Sequence, residues 1–231
     1  MFPMLHGLVS QGGATTLLQG LSWWFDFDEP SDGSGSVARL DSVAGESLTD
    51  NNTIASATDG SDTVASIVRA NSEYFSHANG AKWQAGNNEF TFVGWLKPTT
   101  LNVNAGYVAK TNEFVFNQSG TDPNFILYNG SGTIRAQVAA GAGLTNLATG
   151  AWYPFRFGYD KTRTRAFWQI GTGGLYYEKD TTGAPGTNTN AMFIGAFITQ
   201  YYNGLAKNFA KYDRLLTWGE WVQFCSGVVY P

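Results

Sequence analysis

The sequence predicts an all-β fold, a two-sheet antiparallel jelly-roll sandwich with one short C-terminal helix. Three observations carry that prediction. From residue 21 onward, short runs rich in aromatic and β-branched side chains alternate with clusters of Gly, Asn, Asp and Ser. A helical start signal is confined to the C-terminal end. The 231 residues, 43% hydrophobic and 15% aromatic, hold enough apolar surface for one large core, and undivided sandwiches commonly run to about 200–250 residues.

Residues 1–20 stand apart. They contain Gly7, Gly12, Gly13 and Gly20, scattered apolar side chains and no Asp, Glu, Lys or Arg. With no period of 2 or 3.6, they read as a flexible N-terminal arm or docking tail, since termini stay loose unless a partner ties them down. An edge strand over residues 15–18 is the alternative. Residues 21–231 form the sandwich domain. Its first strand covers residues 21–27, and a turn-rich loop follows over 28–36, with Pro30, Gly33 and Gly35. Residues 41–62 are polar and read as loops and short strands.

Strands are then expected over 63–68, 73–76 and 90–98, the last ending at Pro98 because proline cannot donate to a ladder. Runs at 106–110, 113–117 and 125–128 lead to the turn Asn129-Gly130 and a strand over 133–139. Residues 152–159 turn through Asp160-Lys161-Thr162 into 163–170, and Gly171 to Gly174 lead to 175–178. A flexible loop over 180–190 precedes strands at 192–195 and 204–212. Thr217-Trp218-Gly219-Glu220 fits a capping box, Thr accepting from the third helical amide while Glu reaches back.

Composition narrows function. Charged residues are only 14%, against about 25% in typical globular chains, so Ser, Thr, Asn, Gln and 28 glycines must carry the surface. The net charge of −4 and the lack of a basic face speak against nucleic-acid partners. The single Cys225 excludes an intrachain disulfide, and the two histidines, His6 and His77, exclude a multi-histidine metal site. No segment approaches the ~18 consecutive apolar residues of a membrane span, so no membrane insertion is expected. The N-terminus has no basic leader or apolar run for export, so no signal peptide is expected.

The order of motifs resembles the laminin-G-like modules of the concanavalin-A-like lectin/glucanase group. The opening strand from Leu21 and the loop Asp41-Ser42-Val43-Ala44-Gly45 are similar to that group's first strand and its Asp-Ser-x-x-Gly loop. Asn71-Ser72-Glu73-Tyr74-Phe75-Ser76 resembles its Asn-x-x-Tyr strand, and Glu89 through Pro98 its Phe-Thr strand ending in Trp-apolar-Lys-Pro. Trp152-Tyr153 with Tyr159-Asp160 resembles its central hairpin, and Asn203-Gly204 through Tyr212-Asp213-Arg214-Leu215-Leu216-Thr217 its closing segment. One departure stands out: Ala206, Lys207 and Asn208 occupy positions that usually read Ile-Asp-Glu. The resemblance implies a concanavalin-A-like jelly roll. The glycine-rich, uncharged leader is similar to leaders of such modules in tailed-phage virion proteins.

Because the group includes glucanases, hydrolysis has to be weighed. Retaining hydrolysis needs two carboxylates about 5–5.5 Å apart across the scissile bond. None of the seven glutamates sits in the Glu-x-Asp-x-x-Glu spacing of the glucanase branch, so no enzyme activity and no catalytic residue is expected. The loop from Asp26 to Gly35 offers carboxylates to calcium, but it lacks EF-hand spacing. A solvated loop is favoured, calcium remains the alternative, and no cofactor is assigned. Glycan binding would use aromatic rings against the apolar faces of sugars. The candidates are Tyr176, Tyr177, Tyr201 and Tyr202, because on a strand one member of each consecutive pair must leave the core. Packing against a partner subunit, or at the edge of the sandwich, is the alternative for each. Trp23 and Trp24 pose the same choice, whereas Trp95, Trp152 and Trp168 read as core, and Cys225 as a buried inert thiol.

Two functions follow as expectations. One is a non-catalytic structural protein of a virion surface, decorating a capsid or tail. It would be released by lysis rather than secretion, and it would dock to other virion proteins or to itself through residues 1–20 while adhering to cell-surface glycans. The other is a soluble or secreted carbohydrate-binding module with no virion.

Overall fold

A computed structural model describes residues 17–28, 39–40, 43, 45–101, 104–120, 122–139, 147–173 and 175–227. In chain order its strands are β1 (Leu21–Phe25), β2 (Arg39–Leu40), β3 (Ser47–Asn51), β4 (Ala55–Asp59), β5 (Asp62–Ile67), β6 (Tyr74–His77), β7 (Phe90–Pro98), β8 (Ala105–Lys110) and β9 (Phe114–Ser119). They continue as β10 (Asp122–Tyr128), β11 (Ile134–Ala139), β12 (Tyr153–Asp160), β13 (Arg165–Ile170), β14 (Leu175–Asp180), β15 (Met192–Ile194), β16 (Ala196–Phe197), β17 (Gln200–Tyr201) and β18 (Gly204–Tyr212). The helix α1 spans Trp218–Cys225, and both halves of the Thr217–Glu220 capping box are formed. The expected jelly-roll sandwich is present. Most of the arm expected over residues 1–20 and the loop weighed for calcium lie outside the described residues, where only Leu17 to Gly20 and Asp26 to Asp28 are seen.

The first sheet runs β14-β13-β12-β7-β18-β5-β4, with β1 also on β18. The second runs β11-β10-β9-β8-β15-β6-β3-β2, and β16 and β17 form a separate hairpin. β18 serves two neighbours along one edge: residues 204–206 pair with β5 and residues 209–212 with β1. The handover falls at Asn208, at φ 52, inside a register shift between Lys207 and Ala210 on the β7 side. A bulge there lets one strand change partners without breaking.

The core is a layer of rings between the sheets. Phe92 and Phe157 of the first sheet stack at 4.9 Å and 6°. Phe116 and Phe125 of the second meet Phe157 at 4.9 and 5.0 Å. Such offset contacts add about 0.5–1.5 kcal/mol each beyond area burial. Two glycines make room. A Cβ at Gly94 would sit 2.7 Å from the Phe155 ring, and one at Gly158 would meet the Phe90 carbonyl oxygen at 2.1 Å.

One end of the sandwich holds a fully buried ion pair, Lys110 Nζ to Glu113 Oε2 at 2.8 Å. Lys110 also donates to Asn79 Oδ1 at 2.7 Å and to the Asn188 carbonyl at 3.3 Å, while the Ala85 N–H donates to Glu113. These bonds tie the β6–β7 and β14–β15 connections to the turn between β8 and β9. Left unpaired, either charge would be costly in that interior.

A second apolar cluster lies on the outer face of the first sheet, where α1 sets Trp221 and Phe224 against Trp24, Val93, Ala210, Tyr212 and Leu17. The expectation that one of Trp23 and Trp24 faces the core holds for Trp23. Trp24 points outward into the cluster under α1, and both rings are fully buried. Cys225 is only half-buried at the edge of that cluster, and burial still pushes its thiol up to about 12.

Glu220 fastens α1. Arg214 donates to both of its oxygens at 2.8 and 2.6 Å, and the Thr217 N–H adds a bond at 2.8 Å. Burial raises its pKa, but these donors outweigh burial and leave it below the ordinary value of 4.5. A depressed carboxyl contributes stability above its unfolded pKa and loses it as pH falls through the folded one. Glu220→Gln is therefore expected to melt earlier at neutral pH, by roughly 1.5–3 kcal/mol. It should also lose less stability than the parent between about pH 5 and pH 3, as thermal melts across that range would show.

Candidate functional site

The outer face of the second sheet carries the aromatic surface. Tyr74 on β6 and Phe193 on β15 point away from the core, because their neighbours Phe75, Met192 and Ile194 point into it. Tyr201 on β17 completes the group. Tyr74 lies 5.6 Å from Phe193, edge to face, and 6.0 Å from Tyr201, and all three are half-buried. Polar groups frame them. Asn51 Nδ2 donates to the Tyr74 carbonyl at 3.1 Å and to Ser76 Oγ at 2.9 Å, and Thr49 pairs across from Ser76.

The hairpin β16–β17 is placed by a glycine. A Cβ at Gly106 would lie 2.2 Å from the Phe197 nitrogen, so the hairpin crosses β8 where no side chain stands. Past it, Asn117, Asn124 and Gln137 form an amide ladder, with bonds of 3.0 and 3.3 Å. At the hairpin tip, Ile198 is 67% exposed and adopts φ 58. For a β-branched residue that conformation is an outlier, and strain of this kind gathers at ligand-contacting positions.

The four tyrosines named from the sequence separate in the structure. Tyr176 points outward on β14, 37% exposed, and donates to Glu178 at 2.7 Å. Tyr177 stacks on Trp168 at 4.6 Å and packs against the core. Tyr201 joins the aromatic group. Tyr202 is corrected from an exposed ring to a core one: it is 1% exposed, and its hydroxyl donates to the Leu205 carbonyl at 3.1 Å. Burial pushes that hydroxyl's pKa well up. The reason is local, because Tyr202 begins the crossing from the hairpin to β18 and turns in to meet Tyr107 at 5.6 Å.

Of the three tryptophans read as core, Trp168 is fully buried. Trp95 and Trp152 are half-buried on the outer face of the first sheet, which corrects that reading. His77 stacks on Trp83 at 4.0 Å, and its Nε2 lies 3.1 Å from Glu46. Sequence reasoning missed Tyr74 and Phe193. Period-2 alternation finds Phe193, since Met192 and Ile194 flanking it both face inward.

Among the described residues, no group of three His, Cys, Asp or Glu could hold a metal ion, and no helix is long and apolar enough to cross a membrane. Glu73 accepts from the Val68 N–H at 2.7 Å and from Asn71 at 2.8 Å, so this buried carboxylate shapes a turn.

No protein-family model matches the sequence, and no curated protein matches it. Solved structures do. The fold is similar to the binding domain of Paraclostridial Mosquitocidal Protein 1, at 11% identity and TM-score 0.68, covering 90% of this chain and 52% of that one. It is similar to the binding domain of Botulinum Neurotoxin DC in complex with SialylT, at 9% identity and TM-score 0.65, covering 91% and 52%. A third similar structure is Domain 4 of AbnA, a GH43 extracellular arabinanase from Geobacillus stearothermophilus, in complex with arabinotriose. There the identity is 17% and the TM-score 0.56, covering 89% and 97%. The chain spans about half the length of the two toxin domains. At these identities the likeness establishes the fold alone, a two-sheet antiparallel β-sandwich.

The tyrosine pair at the hairpin gives a direct test of inside against outside. Tyr202→Ala is expected to cost about 3–5 kcal/mol, as for other large buried rings, and Tyr201→Ala about 0.5 kcal/mol or less. Denaturant unfolding of the two variants measures both. Ile198→Asn, which tolerates the left-handed region, should raise stability by roughly 1 kcal/mol in the same assay.

Proposed function

We propose that this chain is a non-catalytic carbohydrate-binding protein that holds a saccharide against Tyr74, Phe193 and Tyr201. The observation that carries the reading is the outward-facing group of three half-buried rings on one sheet face, with Asn51, Ser76 and Thr49 beside it. Flat rings cover the apolar faces of sugars, while hydroxyls and amides take up sugar hydroxyls. Support comes also from the fold, shared with a domain solved in complex with arabinotriose and one solved in complex with SialylT. The glutamates Glu73, Glu113 and Glu220 are buried in structural bonds, which favours binding over hydrolysis.

Titration of the full chain against a broad saccharide panel tests this. Tyr74→Ala and Tyr201→Ala are each expected to weaken the best ligand about tenfold or more, 1.4 kcal/mol per tenfold, at unchanged melting temperature. Absence of binding to every saccharide, or affinity unmoved by both changes, would sink the reading.

The same proposal places the protein on a virion surface, docked through residues 1–20 to other virion proteins or to copies of itself. What supports that placement is the uncharged, glycine-rich character of the segment. Light-scattering mass with and without residues 1–16 addresses self-association. An assembly that falls to monomer on truncation supports it, and a monomer in both leaves only docking to a separate shell.

A further inference from the structure

The opposite face of the molecule holds a second cluster that the glycan reading does not use. On the outer face of the first sheet, at the margin of the ground covered by α1, Lys97, Trp95 and Lys207 project outward beside Trp152, with Trp95 also touching Phe224 of α1 at 6.1 Å, while Asp59 and Asp62 end β4 and begin β5. The registers set this arrangement, because Lys207 pairs directly with Trp95 and Lys97 with Leu205 across β7 and β18. Asp59 pairs with Asp62 across the turn between β4 and β5.

Trp152 is fixed at its edge. Its Nε1–H donates to Asp59 Oδ2 at 2.5 Å, and Lys97 Nζ donates to both Asp59 oxygens at 2.8 and 2.9 Å. The Lys207 ammonium stands 4.8 Å from the Trp152 ring centre and 5.8 Å from that of Trp95, and it is paired to Asp62. Lys97 lies 5.9 Å from the Trp152 ring. The Asp59 carboxylate is committed to Trp152 and Lys97. The Lys207–Asp62 pair differs at its acidic end: the Lys207 side chain is 19% exposed but Asp62 is 49% exposed, and an ion pair with one end in water holds little energy and parts readily.

From this geometry we infer a second binding site, specific for a carboxylated sugar, formed by Trp152, Trp95, Lys207 and Lys97. Lys207 is both lid and ligand group. At rest its ammonium sits over the indole and is neutralised by Asp62. When a uronic or sialic acid unit arrives, Lys207 leaves the ring and exchanges the Asp62 carboxylate for that of the sugar. The exchange uncovers an indole face for the sugar ring and keeps one charge-assisted bond. Lys97 and Asp59 remain in place, Asp59 holding the indole in plane and offering acceptor lone pairs to sugar hydroxyls. A neutral sugar would have to displace Lys207 without replacing its anion, so the site discriminates by charge. The departure noted in the sequence, Lys207 at a position that usually reads Asp, supplies the cation.

Calorimetric titration of the full chain tests the site, with sialyllactose against lactose and trigalacturonate against galactotriose as probes. At least one acidic probe is expected to bind about tenfold more tightly than its neutral counterpart, with an affinity that falls as salt rises. Lys207→Ala should remove that advantage while leaving neutral binding equal or tighter, because the indole is uncovered. Trp152→Ala should abolish acidic binding, and Tyr201→Ala should leave it intact. Equal binding of acidic and neutral probes overturns the inference. So does acidic binding that survives both Lys207→Ala and Trp152→Ala, and so does acidic binding lost in Tyr201→Ala alone. The same titrations in the Tyr201→Ala background, where the Tyr74 surface is weakened, keep these results separate from any saccharide bound there.

Discussion

The ring layer between the two sheets is the constraint on which the rest depends. Phe92, Phe114, Phe116, Phe125, Phe155 and Phe157 make one continuous set of contacts, and their bulk sets what adjoining strands can carry. Gly94 and Gly158 have no side chain because phenylalanine rings and a carbonyl occupy that space. Once the inner faces are filled by rings, alternation along each strand decides what stands outside. Phe193 faces outward because Met192 and Ile194 are taken by the core, and Trp95 faces outward because Leu96 is. The exposed aromatics follow from the pleat and the buried set together.

That division gives the two outer faces different chemistry. On the first sheet, α1 covers the ground around Trp24, Val93 and Tyr212, and the lysine-bearing ends of β7 and β18 lie beyond it. On the second sheet the cover is the short hairpin β16–β17, admitted by Gly106, with neutral amides and hydroxyls around it. One face thus presents tryptophans with paired charges, and the other presents tyrosine and phenylalanine with uncharged polar groups. In a chain only 14% charged, such a gathering of lysine and aspartate around one indole has a local cause. The registers of β7 with β18 and of β4 with β5 bring the four charges to one corner.

Much of this was legible in the sequence. Residues 90–98 and 204–212 read as strands and are β7 and β18 to the residue, because Pro98 and Gly204 punctuate them. Thr217 and Glu220 announced α1 through a local rule that needs no tertiary knowledge. The polar stretch over 41–62 gave less: β3 and β4 lie in it, paired to β6 and β5, although their Ser, Thr, Asn and Asp content also suits loops. Alternation required one member of each tyrosine pair to leave the core without saying which, and in the structure Tyr176 and Tyr201 are the outward members. In the second pair the inward member depends on where the chain leaves one sheet for the other. Trp95 and Trp152 were misread because a large ring in a strong strand looks like core. Both stand on the outer face of the first sheet, where Trp95 is covered on one side only, by Phe224 of α1 at 6.1 Å.

The same geometry explains why a buried tyrosine and an exposed isoleucine sit four residues apart. After β15 the chain must cross the second sheet and return to the first within a few residues. Gly195, at φ 84, and Ile198, at φ 58, absorb the two sharp reversals. Tyr202 anchors the return: its hydroxyl reaches the Leu205 carbonyl, and its ring abuts Tyr107, which itself donates to Gln118 at 2.8 Å. Anchored at that point, the hairpin cannot relax by sliding along β8, so the strain is carried at the tip. Asparagine or glycine would satisfy the turn at lower conformational cost. A large apolar side chain there adds nothing to the core. Its value lies in what it presents beside Tyr201, on the same hairpin as the aromatic group.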